Sequence, residues 1–395
     1  MKTKMSLAIA STLSVLCIAM SPMSYADTES NSVDVKSKNY KKFNPFKKLN
    51  KKIKTNAANI AENTLDINDL EDRVSVLENT TPTNTTVIDV DCGEQTVSDV
   101  LASAPTAGAL TLNVSGVCTD TILIDRSNVS LIGADAGAVI NFNDFGTDNA
   151  FTNLAGVVNV VGAQNVVIDN LTLSNVDGNG VGLNIQAGSS VALSNSTIEN
   201  AFSGIVVQYN SHITMRGTTI QSNTRGALLV IDQSSARLTG DNTIVQSASF
   251  NGDSWTALVG RNSSVRVDGV NNVLINDAVE PGARAIELFQ AGSFRNNSGL
   301  TINGNVGVFQ TSQLEFRNVE LNGSTVVDST GVLRLRGRGG IITLNGDVNI
   351  GALGTVSTVG SSTINGNVIC SGGPLSYFQI NPVVTGSVDP ACTTF

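Results

Sequence analysis

At 395 residues, with 41% hydrophobic and 14% charged side chains, the chain can hold two ordinary domains and has the balance of a folded protein, which excludes a disordered polymer. Aromatics are few and Trp255 is the only tryptophan, while Gly, Asn, Ser, Thr and Val dominate, so short strands and tight turns are favoured over helical packing. The formal charge of −9 speaks against nucleic acid as a partner, and the positive charge is segregated: nine of the 24 basic residues are lysines between Lys36 and Lys54.

Residues 1–26 read as a secretory signal peptide: Lys2 and Lys4, an apolar run from Leu7 to Met20, and a small-residue end at Ser24-Tyr25-Ala26. The apolar run is shorter than the roughly 20 residues that span a bilayer, and Cys17 lacks the small residues of a lipid anchor before it. The reading is therefore extracytoplasmic (secreted, cell-surface or periplasmic), with no integral membrane segment in the mature chain. Residues 27–52 form a Lys-rich linker. It suits either an anionic surface such as lipopolysaccharide or capsule, or a solvated spacer.

Residues 53–80 carry heptads, with Ile53, Ile60, Ile67 and Val74 at one core position and Asn56, Asn63, Leu70 and Leu77 at the other. Charged Glu62, Asp66, Asp69, Glu71 and Arg73 flank them, and Pro82 ends the pattern. So narrow an apolar seam is marginal in a lone helix and calls for partners. Ile60-Ala-Glu-Asn63-Thr64 resembles the asparagine layers in the coiled-coil stalks of trimeric autotransporter adhesins, which implies a homotrimer. The alternatives are a dimer, by the usual rule for β-branched and Leu core positions, and a helix packed on its own β domain.

From Val87 a strand is followed by a short amphipathic helix, then Leu110 to Cys118, Ile122-Leu-Ile, and Asn128-Val-Ser-Leu-Ile-Gly133. Beyond these, short apolar alternations recur. Ile185-Gln-Ala-Gly-Ser189, Val207-Gln-Tyr-Asn-Ser211, Ile231-Asp-Gln-Ser-Ser235, Val259-Gly-Arg-Asn-Ser263 and Phe289-Gln-Ala-Gly-Ser293 align without gaps, 22 to 30 residues apart. Each turn leads into a second strand (Val191-Ala-Leu193, Ile213-Thr-Met215, Val265-Arg-Val267) and a third near Ile198, Ile220, Ile244 or Ile275. Three short strands per repeat predict an all-β, right-handed parallel β-helix over 81–395, with inward side chains stacked coil on coil. The strand, capping helix and run into the coils resemble the start of the pectin-lyase-like proteins, over about Val87 to Thr343.

After Cys17 leaves with the signal peptide, four cysteines remain. Sequential pairing, Cys92 with Cys118 and Cys370 with Cys392, would staple the two ends of the β domain, where an open solenoid frays. No CxxC spacing supports a metal site, and no cofactor motif is read.

In the polygalacturonase branch of the pectin-lyase-like family, catalysis uses Asn-Thr-Asp, Asp-Asp, Gly-His-Gly and Arg-x-Lys motifs, none of which occurs here. His212 stands in Ser-His-Ile and reads as an exposed strand residue. The pectate lyase branch binds Ca²⁺ with clustered carboxylates, whereas Asp169, Glu199, Asp232, Asp241 and Asp268 fall one per coil at differing positions. Phage tailspikes place paired carboxylates for glycoside hydrolysis without a linear motif, so an enzyme stays open.

Length variation concentrates at one corner of the repeat, in the loops Asn200–Ser203, Ser222–Arg225, Gln246–Trp255 and Asn276–Arg284. That corner carries Phe202, Arg225, Phe250, Asp253, Trp255 and Arg284, a mixture suited to stacking on sugar rings and bonding their hydroxyls; the alternative is that the rings fold back to cap the coil edge. A second candidate is a turn ladder of Gln186, Gln208, Asp232 and Gln290 with Tyr209 and Arg261. The sequence thus reads as a secreted, non-catalytic, adhesin-like protein presenting a β-helix to a polysaccharide or anionic surface. A polysaccharide lyase or glycoside hydrolase, and a structural filament or matrix subunit, are the alternatives.

Overall fold

The computed structural model describes residues 85–392 except 136, 143–155, 176–178, 222, 249–253, 279, 281, 372–376 and 380–382. The signal peptide, Lys-rich linker and heptad segment, with Ile53, Ile60, Asn63, Ile67, Leu70, Val74 and Leu77, lie outside the described residues. The chain divides into two compact units, Met1–Asn79 and Thr80–Phe395.

The second unit is a parallel β-solenoid. Strand Thr85–Asp91 opens it, and the short helix Val97–Ser103 follows, burying Val97 and Val100. Thr96 caps the helix by accepting the Asp99 N–H at 3.0 Å. From there the chain winds through three parallel ladders. In one coil, Val181–Gln186 belongs to the third ladder, Ser190–Ser194 to the first and Thr197–Glu199 to the second. The third ladder is an 11-stranded sheet; the first and second make one 23-stranded sheet, joined where Val332–Leu344 and Thr355–Ile364 run through both. Every strand pairing is parallel, and each strand bonds its counterpart one coil away, so backbone groups are satisfied along the axis.

Inward side chains stack in register. Val191, Ile213, Ala236, Val265, Phe294 and Leu314 form one buried file, and Ile198, Ile220, Ile244 and Leu274 another. A single coil cannot enclose such a file; stacking closes it, which is why the fold needs many repeats. The ends are stapled as the cysteine spacing anticipates, with Cys92–Cys118 at the first coil (Cα–Cα 4.8 Å) and Cys370–Cys392 at the last (5.2 Å).

The register corrects the sequence alignment at three places. Val207 pairs with Val230, not Ile231, and Val259 with Leu288, not Phe289; Ile244 pairs with Leu274, so Ile275 is not the core residue of its strand. The stacked serines are therefore Ser189, Ser211, Ser234 and Ser263. Each serine hydroxyl accepts the backbone N–H of the preceding one, at 3.2, 3.1 and 3.0 Å, with separations of 22, 23 and 29 residues. Ser235 stands one place further on, beside His212 and Ser264. The slip also removes two members from the turn ladder predicted from Gln186, Gln208, Asp232 and Gln290 with Tyr209 and Arg261. Asp232 and Gln290 share the left-handed turn position with Tyr209 and Arg261 (φ 55°, 46°, 55° and 53°), whereas Gln186 and Gln208 belong to the preceding position.

Candidate functional site

The corner after the second ladder carries the length variation expected of it: the connections run 200–202, 222–225, 247–254 and 277–283. Four of its six predicted residues are brought together; Phe250 and Asp253 lie outside the described residues. Phe202, Arg225, Trp255 and Arg284 sit at the start of successive strands of the third ladder, with Gly226 paired to Trp255 and Trp255 to Arg284. The Arg225 guanidinium lies 4.7 Å from the Trp255 ring centre and 5.8 Å from that of Phe202, and Arg284 lies 5.0 Å from the ring centre of Phe309. Rings and cations thus alternate along the axis, each stack held by cation–π attraction.

This arrangement decides how the corner can be used. Phe202 and Trp255 are only 5% and 6% exposed, so their faces are covered and neither ring is an open platform. Gly226 makes room for the indole, because a Cβ there would lie 3.0 Å from Trp255 Cε2 and Nε1. Beside the stack is a cleft of about 190 Å³ lined by Arg225, Ser254, Trp255, Leu258, Glu287 and Phe289. Glu287 accepts from Arg284 Nη1 at 2.7 Å, while Trp255 Nε1 has no hydrogen-bond partner among the described residues. The cleft therefore offers a carboxylate and apolar walls, whereas the indole N–H is sealed from solvent and is not presented to it.

The acids that might have made a catalytic group are engaged separately. Asp169 accepts from Ser194 and Asn195, Glu199 from Gln221, Asp241 from Asn271, and Asp232 pairs with Arg261 at 3.3 Å. Each bond joins neighbouring coils, and among the described residues no three His, Cys, Asp or Glu side chains converge as metal ligands. His212 is half-buried, not exposed as the sequence suggested. Its Nδ1 meets Ser235 Oγ at 2.8 Å and its Nε2 meets Thr214 Oγ1 at 3.1 Å. Burial and the Arg237 charge lower its pKa.

Sequence reasoning missed the outer face of the first ladder. Arg237, Arg266 and Arg295 pair in register, Arg295 pairs with Glu315, and Glu315 with Arg334. Asp268 accepts from Arg237 Nε at 2.7 Å and Arg266 Nε at 2.6 Å; Glu315 accepts from Arg317 Nε at 2.8 Å, with Arg295 and Arg336 within 3.6 Å. Burial alone would raise the pKa of both carboxyls. For Asp268, hydrogen bonds from Asn297, Arg266 and Arg237 outweigh it; for Glu315, the Arg317 bond and the charges of Arg336, Arg295 and Arg317 do, and both groups are held below their usual range. The linear signal was Ser-x-Arg, present in Ser235-Ala-Arg237, Ser264-Val-Arg266 and Ser293-Phe-Arg295.

Coils of three parallel ladders, inward stacking and stapled ends define the chain's second unit as a parallel β-helix. Residues 109–268 match the family model described as the right handed beta helix region, and the fold is accordingly a right-handed parallel β-helix. No curated protein matches the sequence. Among the described residues, no helix is long and apolar enough to cross a membrane.

Proposed function

We propose that the chain is an exported, non-catalytic, adhesin-like protein whose β-helix binds a glycan, carried on a trimeric coiled-coil stalk over 53–80 and separated from its start by a Lys-rich linker over 27–52. The observation that carries the reading is the looped corner, where the cleft beside Trp255 combines Ser254 and the Glu287 carboxylate with the apolar Leu258 and Phe289. Such mixtures bind sugars by hydrogen-bonding hydroxyls and covering apolar ring faces. Two disulfides fit an oxidising compartment. The heptads call for partner chains and the layer at Asn63 favours three of them, and three copies of a weak site would raise avidity. The resemblance of the first coils to pectin-lyase-like proteins is compatible with a carbohydrate ligand, while Asp169, Glu199, Asp232 and Asp241 are spent on links between coils.

Sedimentation of residues 27–395 beside 83–395, followed by glycan-array binding of both, tests the reading. A trimer that becomes a monomer on truncation, with array signal falling alongside, supports it. Monomers in both cases remove the stalk, and an array without any glycan signal removes the function.

A further inference from the structure

The outer face of the first ladder is a strip of guanidinium groups in a unit whose surroundings are acidic. None of the lysines falls after Lys54, so arginine supplies the fixed positive charge of the β-helix. Arg237, Arg266, Arg295 and Arg334 share one outward file. Arg216 closes its strand, Arg317 follows the end of its own and Arg336 lies two residues past Arg334 in Val332–Leu344, all one file over. Among the described residues only Asp268 and Glu315 stand with them as counter-charges, which leaves about one uncompensated positive charge per coil, a spacing of roughly 4.8 Å.

The strip is open and ordered. Arg237, Arg266 and Arg295 keep 51%, 58% and 45% of their side-chain surface exposed. Arg237, Arg266, Arg295 and Arg317 each spend Nε–H on Asp268, Asn297 or Glu315. Their Nη groups make no hydrogen bond to the described residues, which leaves each planar fork with donors to spare, the geometry that grips oxyanions in pairs. The two carboxylates thus fix the forks in a row, so less rotamer freedom is lost when a ligand binds.

The geometry points to an extended acidic polysaccharide, carrying about one carboxylate or sulfate per sugar, lying along the helix axis across this strip. Charge spacing selects that occupant: a polymer with one anion per sugar matches one net cation per coil, whereas duplex DNA presents a charge about every 1.7 Å and would leave most of its phosphates unmatched. The strip lies on a different ladder from the Trp255 cleft. It rests on the glycan-binding reading and names the class of glycan.

The test is affinity electrophoresis of the full chain through gels containing alginate, chondroitin sulfate, neutral dextran or duplex DNA, at several salt concentrations. It compares wild type with the triple variant R237Q/R266Q/R295Q, whose fold is checked by its thermal transition. The expected result is salt-sensitive retention by the two acidic polysaccharides, weakened at least tenfold and with a shallower salt dependence in the triple variant. Equal retention of variant and wild type overturns the inference, as does tighter retention by DNA at the same salt. Retention by neutral dextran alone overturns it while leaving glycan binding intact; retention by no polysaccharide removes both.

Discussion

Replacing Ser234 and, separately, Ser235 by alanine tests the coil register one residue at a time. Ser234 is 2% exposed, and its hydroxyl accepts the Ser211 N–H at 3.1 Å in a turn sealed on both sides by neighbouring coils. Without it a buried donor is left unpaired, at a cost of about 2 kcal/mol. Ser235 is half-buried and bonds the His212 imidazole, which water can replace, so its loss should cost about 0.5 kcal/mol. Amide hydrogen exchange at Ser211 reads the difference directly: about 2 kcal/mol corresponds to roughly thirtyfold faster opening in Ser234→Ala, against two- to threefold in Ser235→Ala. Urea unfolding should rank the two variants in the same order. Equal costs, or a larger cost for Ser235→Ala, would refute the stacking of Ser189, Ser211, Ser234 and Ser263.

Further outcomes follow from the same geometry. Trp255→Ala should destabilise the β-helix by about 3–5 kcal/mol in urea, because the indole is buried on Gly226; a cost below 1 kcal/mol would mean that the ring is an exposed sugar platform. Cys370→Ser with Cys392→Ser should cost about 3 kcal/mol, with faster hydrogen exchange concentrated in the last coils; uniform acceleration along the chain would contradict an end staple. Asp268 and Glu315 have depressed pKa values, so their contribution is present above the ordinary carboxylate range and is lost as the pH falls through their lower folded values. Acid titration of D268N/E315Q should therefore show a smaller loss of stability below about pH 4 than wild type. His212 has a lowered pKa, so protonation is resisted by the fold and stability should fall as the pH drops below about 6.5; His212→Gln should flatten that part of the profile.

The solenoid was legible because its periodicity is written twice, as alternating apolar residues within a strand and as turns that recur along the chain. Val191, Ile213 and Val265 were placed on the same file from sequence, and so they stand. The errors fell where adjacent serines offer two equivalent alignments, as at Ser234-Ser235 and Ser263-Ser264. Strand side chains alternate with period two, so a one-residue slip moves a side chain to the other face. That slip put Gln186 and Gln208 into a turn ladder whose other members, Tyr209, Asp232, Arg261 and Gln290, do share a position. The looped corner was legible as a place, since insertions must project from a rigid coil, but not as a surface. That Trp255 folds back onto the coil was one of the two readings the sequence offered, but composition gave no sign that Arg225 would lie between Phe202 and Trp255. The arginine strip was hidden for the opposite reason: its members are 29 residues apart in sequence and become neighbours only through coil register.

The central claim, that this β-helix holds a polysaccharide without cutting it, is tested most directly by incubating the full chain with acidic and neutral polysaccharides, then measuring polymer retention and polymer chain length together. The account predicts retention with unchanged chain length. Shortened chains, or new unsaturated ends absorbing in the ultraviolet, would contradict it and identify a hydrolase or a lyase.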